Sequence, residues 1–306
     1  MCNLLIKKIR SARQCYQKSI ISRFSPSDHQ NEGKLKQIII NSLLRTFSLI
    51  FSRADQESMD TFSSFYNSYG STQSRWSYDS LKNFRQISPQ VQAHLKKVYL
   101  TLCCTLVASA AGAYLHFLWN IGGMLTTIAC FVSILWLFST PAYQEKKKLS
   151  LLMAAATFEG ASLGPLFDLA NAVDPSILVT AFVGTALAFG CFSAAAMLAR
   201  RREYLYLGGL LSSGLSVLLW LHFASAIFGG STAIFKFELY FGLLLFIGFI
   251  VVDTQDIIEK AHLGDTDYVN HAMLLFTDFI AVFVRVLVIM LKNSIEKGEK
   301  KKKRRD

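Results

Sequence analysis

The sequence predicts an all-α polytopic membrane protein, a bundle of seven hydrophobic helices in which six segments are clear spans and the seventh carries charge inside it. Three observations predict it. From Lys96 onward the apolar residues of this 306-residue chain fall into blocks of about 20, the length at which a helix rising 1.5 Å per residue crosses ~30 Å of hydrocarbon. The loops between blocks are too short to fold as separate domains. Small residues recur inside the blocks, as in Ala108-Ser109-Ala110-Ala111-Gly112-Ala113, Gly184 with Ala188, and Gly209 with Ser213; they let helix backbones approach closely. Composition alone (52% hydrophobic, 17% charged, mean hydropathy +0.34) decides less, because soluble domains are also near half apolar.

In chain order, residues 1–58 read apart from the rest. Residues 1–27 hold Lys7, Lys8, Arg10, Arg13, Lys18 and Arg23 and no acid, a composition compatible with an organelle transit peptide. The apolar run 35–51 is interrupted by Arg45, and Met59 opens a fresh Ser/Tyr-rich stretch. The expectation is that Met59 is the working start and 1–58 an upstream extension. Residues 59–97 are a flexible cytosolic arm, turn-rich at Asn67-Ser68-Tyr69-Gly70-Ser71 and basic at Lys82, Arg85, Lys96 and Lys97. The bundle occupies 98–291, with spans at 98–118, 121–140, 149–170, 177–199, 204–228, 237–258 and 272–291. Each must be helical, because hydrocarbon offers no water to satisfy the backbone. Residues 292–306 form a basic tail.

Loop charge gives the topology. The loop 141–148 carries Lys146, Lys147 and Lys148, and 200–203 carries Arg200, Arg201 and Arg202. Both belong in the cytosol, whereas the loops near Asn120, Asp174 and Gly229 lie outside. Six crossings return 259–271 to the cytosol. The tail is the most basic segment, so segment seven either re-enters or crosses against the charge rule; the expectation is a cytosolic tail.

The net charge of +11 does not indicate nucleic acid. Eight Lys/Arg lie in 292–306 against three acids, and six more lie in 1–27. Charge clustered at the termini beside a membrane sets orientation and meets the lipid bilayer. Cys103, Cys104, Cys130 and Cys191 lie in or near spans without metal-ligand spacing. His116 and His222 sit toward span ends and read as interfacial. The chain reads as a non-enzyme.

Charges inside spans cost ~2.5–3.5 kcal/mol each and mark function or a partner. Asp278 sits mid-segment, and Arg285 follows two turns later on the same face; a structural ion pair is the plain alternative to a functional carboxylate. Asp253 closes the apolar run of segment six, where a solvated helix end serves equally well. For Glu159 a satisfied polar contact beside the Gly164-Pro165 kink comes first. If Asp253 and Asp278 approach within ~4–6 Å, both cannot stay ionised and the pair holds one proton. Losing it restores repulsion and exposes two hard oxygen ligands suited to calcium, which makes a proton-sensitive gate. The same two residues suit an intramembrane aspartyl protease, but Leu275-Phe276-Thr277 is bulky where that chemistry needs glycine before Asp278. The tail residues Lys292, Lys297, Lys300, Lys301, Lys302, Lys303, Arg304 and Arg305 serve as a positive-inside anchor. A basic amphipathic helix of this kind is also a calmodulin target.

Several stretches together resemble the plant Bax inhibitor-one branch of the transmembrane Bax inhibitor motif family. They are Trp76-Ser77-Tyr78-Asp79-Ser80-Leu81, Phe158-Glu159-Gly160-Ala161-Ser162-Leu163-Gly164-Pro165, Ala199-Arg200-Arg201-Arg202-Glu203-Tyr204-Leu205-Tyr206-Leu207-Gly208-Gly209, Val252-Asp253-Thr254-Gln255-Asp256-Ile257-Ile258 and Phe276-Thr277-Asp278-Phe279. The resemblance covers nearly everything after Met59. It implies an endoplasmic-reticulum protein that suppresses programmed cell death and leaks calcium, with a pH-sensing pair at Asp253 and Asp278. It further implies calmodulin binding by the tail, and a polar seventh helix surrounded by the others. Calcium would be the transported or regulatory ion, with no resident cofactor. The alternative is a non-conducting scaffold that regulates cell death through partner proteins.

Overall fold

The computed structural model describes residues 89–198, 205–228 and 232–303, and every regular element among them is an α-helix. Helix α1 (Pro89–Trp119) opens on a proline, whose missing N–H costs nothing in a first turn. Its buried residues Val91, Leu95, Val98, Leu102, Thr105, Ser109, Gly112 and His116 recur every three or four positions and make one inward stripe. The helix stops where Asn120 takes a φ of 53° and returns its N–H to the His116 carbonyl at 2.7 Å. Residues 89–97, expected in the flexible arm, are its opening turns.

Helix α2 (Met124–Ser139) has 16 residues, so it is only ~24 Å long and shorter than the expected 121–140. Gly122 and Gly123 stay outside it. The Gly122 N–H is taken by the His116 ring at 2.8 Å, and the Thr126 hydroxyl donates to the Gly123 carbonyl at 2.8 Å. The third expected span is two helices, α3 (Glu145–Ser162) and α4 (Gly164–Val173), bent by 42°. Pro165 has no N–H to continue the ladder, so the chain turns there. Glu145 through Lys148, expected in a loop, form the first turn of α3, because the Lys148 ammonium turns inward to pair with Asp267.

Helices α5 (Pro175–Leu198) and α6 (Leu205–Phe228) agree closely with their expected spans. The segment between them, with Arg200, Arg201 and Arg202, lies outside the described residues. So do 1–88 and the tail residues Arg304 and Arg305. Helices α7 (Thr232–His262) and α8 (Tyr268–Lys303) outrun their expected spans at both ends. Helix α8 is the central pillar: α7, α1 and α5 pack along it, and α3 and α4 touch it. Of its apolar window 78% is buried, against 17–39% for the other full-length spans. The expectation of a surrounded seventh helix is met.

Helix direction is set by pairs at one end of the bundle. His94 of α1 meets His271 of α8, Lys148 of α3 meets Asp267, and the Tyr268 hydroxyl donates to Glu145 at 3.5 Å. Helices α1, α3 and α8 therefore all start at this end. At the far end Lys292 of α8 lies 5.3 Å over the ring of Phe235, in the first turns of α7. Helix α8 is unbroken over 36 residues, roughly 54 Å, so segment seven does not re-enter. Lys96 and Lys146 sit at the end where α8 starts, and the basic tail leaves from the other.

Close packing follows two glycines. A Cβ on Gly112 would stand 1.9 Å from the Thr157 carbonyl oxygen, and one on Gly160 would stand 1.8 Å from that of Ser109. Backbone meets backbone where α1 crosses α3, as the small-residue run 108–113 predicts. Gly184 and Gly209, expected to act likewise, face open space.

Candidate functional site

Helix α8 carries His271, Asp278, Arg285 and Lys292 at seven-residue intervals, so four ionisable groups line one face of the innermost helix. His271, Asp278 and Arg285 are 3%, 1% and 3% exposed. Across the α7–α8 turn, Asp253 stands nine residues before the end of α7, and Asp278 ten residues after the start of α8. The helices are packed neighbours, and both carboxylates therefore lie about 14 Å from the turn, at matching depth. Asp253 is 2% exposed, so it is not a solvated helix end.

Aromatic rings surround this level. Phe279 packs edge-on against Phe182 and Phe189, with ring centres 5.8 and 5.6 Å apart, and Phe283 packs against Phe167 and Phe182. Beside Asp253, the Thr254 hydroxyl donates to the Ile250 carbonyl at 2.7 Å and faces that of Ser193 at 3.3 Å. Ser193 in turn pairs with the Tyr99 hydroxyl, and the Gln255 amide donates to the Ala196 carbonyl at 2.8 Å. This belt ties α1, α5 and α7 together around the aspartate level. Low-dielectric walls strengthen every charge interaction inside them.

Arg285 does something the sequence left open. Its guanidinium donates to the Ala281 carbonyl at 2.9 Å and lies 4.1 Å over the Phe246 ring. Gly242 makes room for it, since a Cβ there would stand 2.6 Å from Nε. Glu238, also buried, pairs with His222 at 3.7 Å. Sequence reasoning missed Glu238, because a carboxylate at the edge of the expected span 237–258 looks like a solvated end.

Glu159 is buried on α3, where the Cys130 thiol of α2 donates to its Oε2 at 3.4 Å. His116, at the end of its span, is buried, with Nε2–H donating to Asp168 at 3.1 Å and Nδ1 accepting from Gly122. Gly164 makes space for its ring, a Cβ there standing 2.2 Å from it, so the histidine pins the end of α1 against the α3–α4 bend. The pair His94–His271 was also missed. Its members lie 177 positions apart, although the heptad step from His271 to Asp278 and Arg285 was a signal in plain view. Among the described residues no group of three or more His, Cys, Asp or Glu side chains gathers into a metal cage. In the tail, Lys292 is half-buried, Lys297 is exposed, and the helix runs through Lys300, Lys301, Lys302 and Lys303.

Comparison with known proteins gives consistent matches. A family model described as inhibitor of apoptosis-promoting Bax1 matches residues 91–295, a range that contains every carboxylate discussed above. Bax inhibitor 1 of Arabidopsis thaliana is 73% identical over 239 residues, covering 78% of this chain and 96% of that protein. Bax inhibitor 1 of Oryza sativa subsp. japonica is 66% identical over 247 residues, covering 81% and 99%. Bax inhibitor 1 of Homo sapiens is 44% identical over 229 residues, covering 74% and 96%.

Proposed function

The chain belongs to the Bax inhibitor family, and from that membership and its buried carboxylates we propose that it suppresses programmed cell death from the endoplasmic-reticulum membrane through a pH-sensitive calcium leak. Asp253 and Asp278 are the titrating unit. The observation that carries this reading is two sealed carboxylates at matching depth on packed helices, along the innermost helix of the bundle. With one proton shared, α7 and α8 hold together and the path is closed. Losing that proton restores like-charge repulsion, so leak rises with pH across the pair's upper apparent pKa. Calcium is a passing ion that meets two hard oxygens rather than the six to eight of a storage cage.

The test is calcium flux through purified protein in liposomes across pH. Asp278→Asn and Asp253→Asn should each flatten the pH response, because coupled sites fail as a unit. A normal response in both, or its loss only in Glu159→Gln, would make the pair the wrong site. Absence of flux at any pH would leave the scaffold reading, in which tail and partners act alone. Loss of peptide cleavage in both variants would revive the protease.

The basic tail is the calmodulin-binding segment of this reading and requires a cytosolic C-terminus. Neutralising Lys300 through Arg305 should weaken calmodulin binding, more at low salt than at high. Protection of the tail from protease in sealed microsomes would overturn that part.

A further inference from the structure

Helices α1 and α3 touch backbone to backbone at Gly112 and Gly160. Between that crossing and the end of the bundle where α8 starts, the two helices and Tyr268 line a cleft of about 350 Å³, the size of a small-molecule site. Its walls are apolar, built from Leu100 and Cys104 of α1 with Leu149 and Met153 of α3. Leu100 is 68% exposed and Cys104 is exposed as well. The cleft therefore opens on the outer surface of the bundle, where a membrane protein meets lipid. Its mouth is polar. The Lys97 ammonium of α1 lies 5.9 Å over the Tyr268 ring, and the Tyr268 hydroxyl donates to Glu145 of α3 at 3.5 Å.

The mouth lies at the level of lipid headgroups. Lys96 and Lys97 precede the apolar run of α1, and Glu145 through Lys148 precede that of α3. Both helices pass from charged to apolar here, and Tyr268 adds the aromatic ring common at membrane surfaces. From Lys97 to Cys104 the cleft follows seven residues of α1, about 10 Å, which fits inside the roughly 15 Å of one hydrocarbon leaflet. A headgroup held at the mouth sends its acyl chain along the apolar walls.

We propose that this cleft binds one ethanolamine phospholipid of the surrounding bilayer. The cleft's own lining offers one cation, Lys97, and one carboxylate, Glu145. Two neighbouring ammoniums are engaged elsewhere: Lys148 holds Asp267, and Lys147 lies 5.6 Å over the Trp136 ring. The lipid phosphate takes Lys97 and the primary ammonium takes Glu145, both as charge-assisted hydrogen bonds. A choline headgroup carries the same charges but has no N–H to give the carboxylate. An anionic glycerol headgroup brings nothing to offset Glu145, which repels its phosphate. The bound lipid fills the gap between α1 and α3 and ties both to the start of α8.

The experiment titrates the full purified chain in detergent with ethanolamine, choline and glycerol phospholipids of identical acyl chains, and reads retained lipid by native mass spectrometry. One ethanolamine lipid per chain should be held about fivefold more tightly than either of the others. Lys97→Gln should weaken it by about the same factor. Glu145→Gln should weaken it likewise and raise retention of the glycerol lipid, whose repulsion is then gone. Both positions are exposed, so neither change disturbs the fold. Cys104→Trp, at the deep end of the cleft, should displace the acyl chain and lower retention of the ethanolamine lipid. Equal retention of all three lipids by the unaltered protein would overturn the proposal, since that is an ordinary lipid coat. So would preference for the glycerol lipid, the mark of a generally basic surface. A preference that survives both charge variants, or retention untouched by Cys104→Trp, would overturn it too.

Discussion

The α1–α3 crossing and the α7–α8 hairpin are both helix pairs shut off from water, by opposite means. Where α1 crosses α3, glycines bring the two backbones into direct contact at Thr157 and Ser109. No side chain fits between them. Along the packed helices α7 and α8 the buried residues instead include Asp253, Asp278, Arg285 and Glu238. Gly242 there serves a side chain rather than a backbone, clearing the space that Arg285 fills. The two regions teach that a glycine in a helix pair can serve either backbone contact or the burial of a large charged side chain.

The contrast can be broken most severely at Gly160. Gly160→Leu drives a side chain into the Ser109 carbonyl, which belongs to backbone and cannot swing aside. The expected cost is about 3 kcal/mol or more, seen as loss of the cooperative thermal transition in detergent. Gly184→Leu, the same change in open space, should stay within about 0.5 kcal/mol. Equal losses at the two sites would mean that close approach is not what seals α1 on α3.

Lys148→Met comes next. It leaves the Asp267 carboxylate, 13% exposed, without its buried cation, and should cost about 3 kcal/mol as a lower melting temperature. Changing Asp267→Asn as well should recover part of the loss, since no charge is then stranded.

Gly242→Ala is the smallest of the set. The new Cβ meets a flexible guanidinium stem, so Arg285 shifts at a cost of about 1 kcal/mol. In an Arg285→Met background that cost should shrink, and a double-mutant cycle measures the coupling. Additive effects would show that Gly242 is not there for Arg285.

The helical spans were legible because a bilayer imposes one length and one polarity, and both are local properties of a chain. Asp278 was legible for the same reason: a charge at mid-span stands out against apolar neighbours. The bend at Leu163 was half legible, since Pro165 announces a kink without saying that it divides the span. Which small residues make contact was not. Gly112 and Gly160 look no different in sequence from Gly184 and Gly209, and only the facing helix distinguishes them.

By itself the sequence determined a polytopic helical bundle, the approximate extent of its spans and the presence of carboxylates inside them, because hydrophobic length and buried charge act residue by residue. The tertiary structure alone decided who faces whom. It set Glu238 against His222, His94 against His271, Lys148 on Asp267 and His116 into the bend at Gly164. It also made α8 one continuous pillar from Tyr268 to Lys303. Each of these is a pairing between residues distant along the chain, and no local pattern encodes a partner that only packing brings near.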